Sequence, residues 1–303
     1  MLLQGGHDGD VAVFMGNRQY QRVAFSQEDF RFKSVAYIYQ ANHGQFNTDW
    51  GQRDSPAPFG KLLNVKPLLD GEAQRQIASV YIAAYMDTTL KQVTGYLPLF
   101  QSSGAGADWL PESIILNRFQ DSMFRVVSNY EEDLDPATTT LPGGKQIAID
   151  FTEWREGSLW FRMAGMEQAN NVVFLGWEQD RGAKPPSYTI TLPSNLDSPW
   201  NVKGNDRLTF SLVDLGHGID PLQDVTLYVQ DADGSRATLQ LRDWANIVPP
   251  LPIQFTKAGF LEKMVIDLVE PILQTYAIPL SAFVEINEDL DLSMLEEIGF
   301  VFE

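Results

Sequence analysis

The first hundred residues carry the hydrophobic pattern of alternating strands and helices. Residues 33–40 are β-branched and aromatic without a polar period, which predicts a buried strand, and residues 2–4 match the end of another. Residues 11–23 and, more clearly, residues 70–91 have apolar side chains at helical spacing, and Asp70 is placed to cap the second helix. Apolar strands that alternate with helices predict an α/β layer on a mostly parallel sheet.

The pattern changes after residues 101–107, which are small, flexible and uncharged. Short runs of strand type then recur with turn signals between them, and Asp231-Ala-Asp-Gly234 predicts a hairpin. About ten such strands predict an antiparallel β-sandwich of jelly-roll type. Residues 260–269 and 291–297 predict short helices. The predicted strands are residues 123–129, 146–151, 158–165, 171–177, 188–192, 206–212, 224–231, 237–241, 274–279 and 298–302.

These patterns divide the chain into three predicted parts. Residues 1–100 form the end of an α/β domain, residues 101–110 a linker, and residues 111–303 the β-sandwich. Charge follows the same division, because residues 1–105 hold nine basic and nine acidic side chains and the remainder carries the whole net charge of −18. That acidity disfavours nucleic acid and anionic membrane surfaces as partners, although a solvated surface also explains it.

Composition narrows the chemistry further. The chain has no cysteine, which excludes disulfides and a thiol nucleophile. No apolar run approaches the length of a membrane span. The first residues lack the basic and apolar regions of a signal peptide, so any export signal is expected upstream of Met1, and the compartment stays open.

An ionisable residue follows the end of each of two apolar segments that are predicted to be strands. Gly5-Gly-His-Asp-Gly-Asp10 follows the first run and Ala41-Asn-His-Gly44 follows the second. Asp8 and His43 therefore occupy the ends of two predicted strands, and an acid with a histidine makes two members of a Ser-His-Asp relay. A solvated turn and a hydrogen-bonded loop histidine are the alternative interpretations.

Together, Gly-His-Asp-Gly-Asp-Val and Ala-Asn-His-x-x-Phe-Asn resemble the α/β-hydrolase family over residues 1–100. The likeness is to its serine esterase branch, which includes dienelactone-hydrolase-like and platelet-activating-factor-acetylhydrolase-like enzymes. It implies that His43 is the general base and that Asp8 orients it, with Asp10 as a rival acid. It also implies that His7 and Asn42 line the substrate pocket and that no cofactor takes part.

The sequence departs from that family because it contains no Gly-x-Ser-x-Gly. The nucleophile is expected upstream of Met1, and this chain by itself is not expected to turn over ester. The predicted function is that of the C-terminal portion of a carboxylic ester hydrolase with an accessory β-sandwich. Its substrate is a small-molecule or polymer-linked ester. The alternative is a non-catalytic carbohydrate-binding or structural β-sandwich protein.

The end of the chain also resembles galactose-binding-type jelly rolls. The resemblance lies in residues 278–283, 287–291 and 295–302, and it implies a possible sugar ligand. Tryptophans can stack on sugar rings or fill a core, and the core is favoured for most of the following: Trp154, Trp160, Trp177, Trp200 and Trp244.

Two groups of residues in the acidic part carry side chains that can bind metal ions. His217 lies between Asp214 and Asp220, and residues 131–135 hold four carboxylates. Neither group has the spacing of a known metal loop, so the sequence favours surface loops and predicts no metal.

Overall fold

A computed structural model describes residues 1–303 except 12, 27–28, 103, 163–165, 179–183, 195–201, 218–219, 263 and 265–268. The helices are α1 (Met15–Arg22), α2 (Gly71–Leu90), α3 (Leu97–Gln101), α4 (Gly259–Glu262) and α5 (Ser281–Ile286). The strands are β1 (Leu2–Gly5), β2 (Phe32–Ile38), β3 (Ile115–Asp121), β4 (Lys145–Ile149), β5 (Glu153–Trp160), β6 (Glu167–Gly176), β7 (Ser187–Thr191), β8 (Arg207–Leu212), β9 (Val225–Asp231), β10 (Arg236–Gln240), β11 (Gln274–Pro279) and β12 (Leu295–Phe302).

The N-terminal part is built on a three-stranded sheet in the order β1-β2-β3. β1 and β2 run parallel, whereas β2 and β3 run antiparallel. Every residue of β2 is buried, which matches its unbroken apolar pattern. The predicted fold class is wrong here, because a hydrolase sheet requires a run of parallel strands and the described residues supply one parallel pair.

Helix α2 covers this sheet, and its start is fixed by its cap. The Asp70 carboxylate accepts hydrogen bonds from the N–H groups of Glu72 and Ala73, as predicted for an N-cap. Ile77 and Tyr81 are fully buried on the face that packs against α3 and the sheet, within one apolar cluster. The helix therefore holds the sheet from one side.

The antiparallel part has two layers around a second apolar cluster. One layer is a five-stranded sheet in the order β10-β9-β12-β7-β4. The other consists of two separate ribbons, β5–β6 and β8–β11, that bond no further strand among the described residues. The predicted jelly roll is wrong, because its second layer would be one continuous sheet.

Several predicted elements need correction. Residues 123–129 form no strand, and the strand that pairs with β2 lies just before them, at residues 115–121. Residues 291–297 form a 3₁₀ turn that leads into β12, because the alternation needed to pair with β9 already begins at Leu295. Of the predicted helix at 260–269, α4 accounts for the beginning, while residues 263 and 265–268 lie outside the described residues. The hairpin at Asp231-Ala-Asp-Gly234 is confirmed between β9 and β10.

Buried contacts join the two predicted parts. β3 lies beyond the predicted linker and completes the N-terminal sheet. The Asn17 amide on α1 donates to the carbonyl of Gln168 on β6 at 2.6 Å. The Asn17 side-chain oxygen accepts from the Arg118 guanidinium at 2.9 Å. The boundary at residues 101–110 stays a prediction, and the N-terminal sheet draws on residues from both sides of it.

Candidate functional site

The parallel pairing of β1 and β2 brings the loops after these strands together. The two chains approach so closely that a Cβ on Gly5 would stand 2.7 Å from the Ala41 carbonyl oxygen, which only glycine avoids. The His7 N–H donates to the same carbonyl at 2.7 Å. The residues that follow the carboxyl ends of both strands therefore lie together at one edge of the sheet.

Asp8 and His43 meet at this edge. The Asp8 Oδ2 atom lies 3.2 Å from His43 Nδ1, and the other carboxylate oxygen accepts the N–H groups of Asp10 and Val11 at 2.9 and 2.7 Å. The Asp8 side chain is 7% exposed and the His43 side chain 38% exposed. A carboxylate that is fixed by two backbone donors and turned to an imidazole holds that ring in one orientation.

The rival acid points elsewhere. Asp10 is exposed, and the described contacts join its backbone, not its carboxylate, to this site. Geometry therefore pairs Asp8 with His43, while the catalytic roles of both stay predictions.

A second carboxylate, which sequence reasoning missed, connects the two loops. Asp54 accepts the backbone N–H groups of Gly9 and Gly44, each at 2.8 Å, and of His43 at 3.3 Å. It also accepts the Asn42 amide at 2.6 Å. Asp54 lies in a Pro- and Gly-rich segment without periodicity, so no local signal marks it. Its four donors make it the residue that fixes the distance between the loops.

His7 and Asn42 are both buried. A ring nitrogen of His7 lies 2.9 Å from the Asn64 carbonyl, the ring packs against Phe255, and burial lowers the pKa of this histidine. Asn42 accepts the Gln45 N–H and donates its amide to Asp54. These polar groups are engaged within the protein, and the predicted contact of the two residues with substrate stays untested.

A buried ion pair supports the loop before Asp8. Arg162 binds Glu270 through Nη2–Oε1 at 2.6 Å and Nε–Oε2 at 3.0 Å, with side chains 4% and 0% exposed. The same Nη2 donates to the Gly6 carbonyl at 2.7 Å and to the Tyr37 hydroxyl at 2.9 Å. Burial raises the pKa of Glu270 against the opposing effect of Arg162. The cost of removing both charges from water is offset here by two hydrogen bonds between the guanidinium and the carboxylate. The guanidinium also fixes the turn that carries Asp8.

The His43 ring is partly exposed and carries an aromatic neighbour. Trp50 stacks on it with ring centroids 5.5 Å apart and planes inclined by 15°, and the indole is itself exposed. Nδ1 faces Asp8, and no described residue hydrogen-bonds Nε2. An imidazole in this setting can take a proton at Nε2 and return it, which is general base and then general acid chemistry.

The other candidate residues lie away from this pair. Among the residues that the structure describes, no three acidic or histidine side chains converge to hold a metal ion. His217 is exposed, and its neighbours at 218–219 lie outside the described residues. Trp154 and Trp177 pack against the apolar cluster, whereas Trp160 and Trp244 are about half exposed and Trp200 is not described.

Comparison with family models, curated proteins and solved structures finds no match to this chain. The resemblance to serine esterases therefore stays a prediction. Within the described part of the chain, no helix combines the length and apolarity that a membrane crossing requires.

Proposed function

We propose that Asp8 and His43 are the acid and base of a serine ester hydrolase relay. The observation that carries the proposal is the 3.2 Å contact between Asp8 Oδ2 and His43 Nδ1, with the remaining carboxylate oxygen held by backbone donors. The nucleophilic serine comes from polypeptide outside these 303 residues, because the sequence contains no Gly-x-Ser-x-Gly.

The proposed reaction passes through an acyl-enzyme. His43 Nε2 takes the serine proton while the serine oxygen attacks the ester carbonyl, and the imidazolium then protonates the departing alcohol. His43 then takes a proton from a water molecule, which attacks the acyl-enzyme, and the imidazolium returns that proton to the serine oxygen as the carboxylic acid product leaves. Asp8 keeps the proton-bearing Nδ1 turned toward itself and stabilises the imidazolium. The substrate class is a carboxylic ester, free or linked to a polymer, that approaches Nε2 of His43 beside Trp50.

The test uses the natural gene product that contains this chain, purified with whatever polypeptide accompanies it. We expect hydrolysis of p-nitrophenyl acetate and labelling of a serine by a fluorophosphonate. Asp8→Asn is expected to lower kcat by about 10⁴-fold, because the histidine then takes the wrong tautomer. His43→Ala is expected to abolish the fluorophosphonate labelling.

Asp10→Asn and His217→Ala are the matched controls, one exposed acid and one exposed histidine, and both should retain activity. The proposal is wrong if the natural gene product contains no labelled serine, or if Asp8→Asn hydrolyses ester as fast as Asp10→Asn. The contact between Asp8 and His43 would then serve only to hold the two loops together.

A further inference from the structure

A cavity of about 1140 Å³ lies between the two layers of the antiparallel part. This volume exceeds the roughly 300–1,000 Å³ of sites for drug-sized ligands. Its floor is the five-stranded sheet, from which β7 and β12 contribute apolar side chains of one face, such as Ile190, Ile298 and Phe300. Ile190 and Ile298 are each 7% exposed, and Phe300 is half-buried. The cavity therefore has an apolar floor made by a complete sheet.

Two strand edges border the cavity. β6 and β8 line it with consecutive residues, 170–176 and 207–212, whereas a strand that presents one face would contribute alternate residues. Side chains on both faces of these strands are half-exposed, as the neighbouring residues Val173 and Phe174 show on β6. Among the described strands, β6 bonds β5 alone and β8 bonds β11 alone. Within the part of the chain that the structure describes, each strand therefore turns an edge without a strand partner toward the cavity.

On β6 the direction of the backbone groups follows from one hydrogen bond. The Asn171 N–H donates to Glu131 at 2.7 Å and so points away from β5. Backbone groups alternate in direction along an antiparallel strand, so Val173 and Leu175 also direct N–H and C=O to the cavity edge. These groups lie two residues apart, which is the repeat of a strand.

The backbone groups of β8 also point to the cavity at every second residue. The Leu280 N–H donates to the Asp206 carbonyl at 2.9 Å, so Asp206 faces β11. The alternation then turns Thr209 and Ser211 to the cavity. Their side chains agree with this direction, because Ser211 contacts Thr275 across the strand pair at 3.1 Å, as side chains in a non-hydrogen-bonded pair do.

We propose that this cavity is a docking slot for one extended segment of a partner polypeptide, which pairs with β6 and β8. The segment would lay alternate apolar side chains on the floor and satisfy both edges through its own backbone. A lipid chain would use the floor and leave both edges unpaired.

Charge selects the kind of partner. Seven carboxylates and three arginines among the described residues line the slot, and the chain as a whole carries −18. A segment flanked by lysine or arginine complements this field, whereas a second copy of this acidic chain is repelled. The partner segment is therefore basic at its ends and apolar at alternate positions.

The test adds a synthetic peptide of three Val-Thr repeats between pairs of lysines to the purified chain. We expect binding by calorimetry, together with protection of the Val173, Leu175, Thr209 and Ser211 amides from hydrogen exchange. A peptide N-methylated at alternate valines loses backbone donors and should bind at least tenfold more weakly. The same peptide with glutamate flanks should also bind at least tenfold more weakly.

Variants at one position separate backbone from side chain. Thr209→Pro removes an N–H that faces the slot, and an edge strand tolerates proline there. We expect it to weaken binding at least tenfold, while Thr209→Ala stays within twofold. If Thr209→Pro does not fold, the N-methylated peptide decides the question alone.

Three results would overturn the proposal. They are absence of peptide binding, equal binding of the N-methylated peptide, and displacement of the peptide by palmitate that binds without protecting these amides.

Discussion

At the scale of single residues, Glu156 lies in a setting that opposes its charge. It lies on β5, is 7% exposed, and neither carboxylate oxygen has a hydrogen-bond partner among the described residues. Burial raises the pKa of Glu156 to about 7, and the nearby carboxylates Glu132, Asp133 and Asp135 act in the same direction. The folded chain therefore keeps a proton on this residue to near-neutral pH.

This proton makes stability depend on pH. An unfolded glutamate has a pKa near 4.5. Between that value and about 7 the folded state binds more protons, so the free energy of unfolding falls as pH rises. Glu156→Gln has no proton to lose, and at pH 8 we expect it to raise the free energy of unfolding by about 1–3 kcal/mol. Near pH 4.5 it should have little effect, and urea unfolding at the two pH values measures both.

Glu153→Gln is the control on the same strand, because Glu153 is half-exposed and pairs with Arg155. We expect it to change stability by less than about 0.5 kcal/mol at either pH. A Glu156→Gln variant that loses stability with rising pH as steeply as the wild type would show that another group titrates.

The alternation expected from the sequence does not hold along β5. A strict period of two would place Trp154, Glu156 and Trp160 on one face. Leu159 is buried instead, and Trp160 is half exposed. The pairing is irregular at this point, because the step from Ser158 to Trp160 on β5 lies opposite the longer step from Asn171 to Glu167 on β6. Nothing in the sequence of β5 marks this irregularity, because it lies in the pairing with β6.

At the scale of elements, the Arg162–Glu270 pair joins the segment after β5 to the segment before β11, and Arg162 also bonds the Gly6 carbonyl after β1. Arg162→Met leaves Glu270 buried without its cation, and we expect a loss of about 3–5 kcal/mol in the free energy of unfolding. Replacing both residues, with Arg162→Met and Glu270→Leu, should cost much less because no uncompensated charge is left. Urea unfolding of the two variants tests this.

Because Arg162 also holds the Gly6 carbonyl, the single variant should speed hydrogen exchange at the His7 amide. Equal stabilities of the single and double variants would contradict the assignment of the loss to a stranded charge.

Elements whose information is local were predicted well. The α2 helix follows from its apolar spacing and the Asp70 cap, and β2 follows from its unbroken apolar run. β3 was missed because its polar Asn117 is buried by bonds to distant groups, among them the Leu99 carbonyl. In the candidate site, Asp8 and His43 stand out as residues after strands, whereas Asp54 and Arg162 act through partners that no sequence window contains.

At the scale of the whole molecule, the N-terminal sheet depends on residues beyond the predicted linker. β2 is fully buried between β1 and β3, and β3 begins at Ile115. We expect a fragment of residues 1–110 to be unfolded or aggregated, because it exposes the β2 edge. Circular dichroism and size-exclusion chromatography of residues 1–110 and of the whole chain test this, and a folded, monomeric fragment would contradict it.

The division by charge was a weaker guide than the contacts. The acidic excess begins after residue 105, yet the strand that completes the N-terminal sheet lies within the acidic portion. Net charge reports on the surface, whereas the fold follows buried pairings such as Asn17 with Gln168.

The stack of Trp50 on His43 makes the site optically readable. An exposed indole lies 5.5 Å from the imidazole ring with nearly parallel planes, so we expect its fluorescence to change when a molecule binds beside that ring. The difference between the emission of the chain and that of Trp50→Phe isolates this signal from the other six tryptophans. The arrival of a molecule against the ring can then be followed in real time without a chromogenic ester.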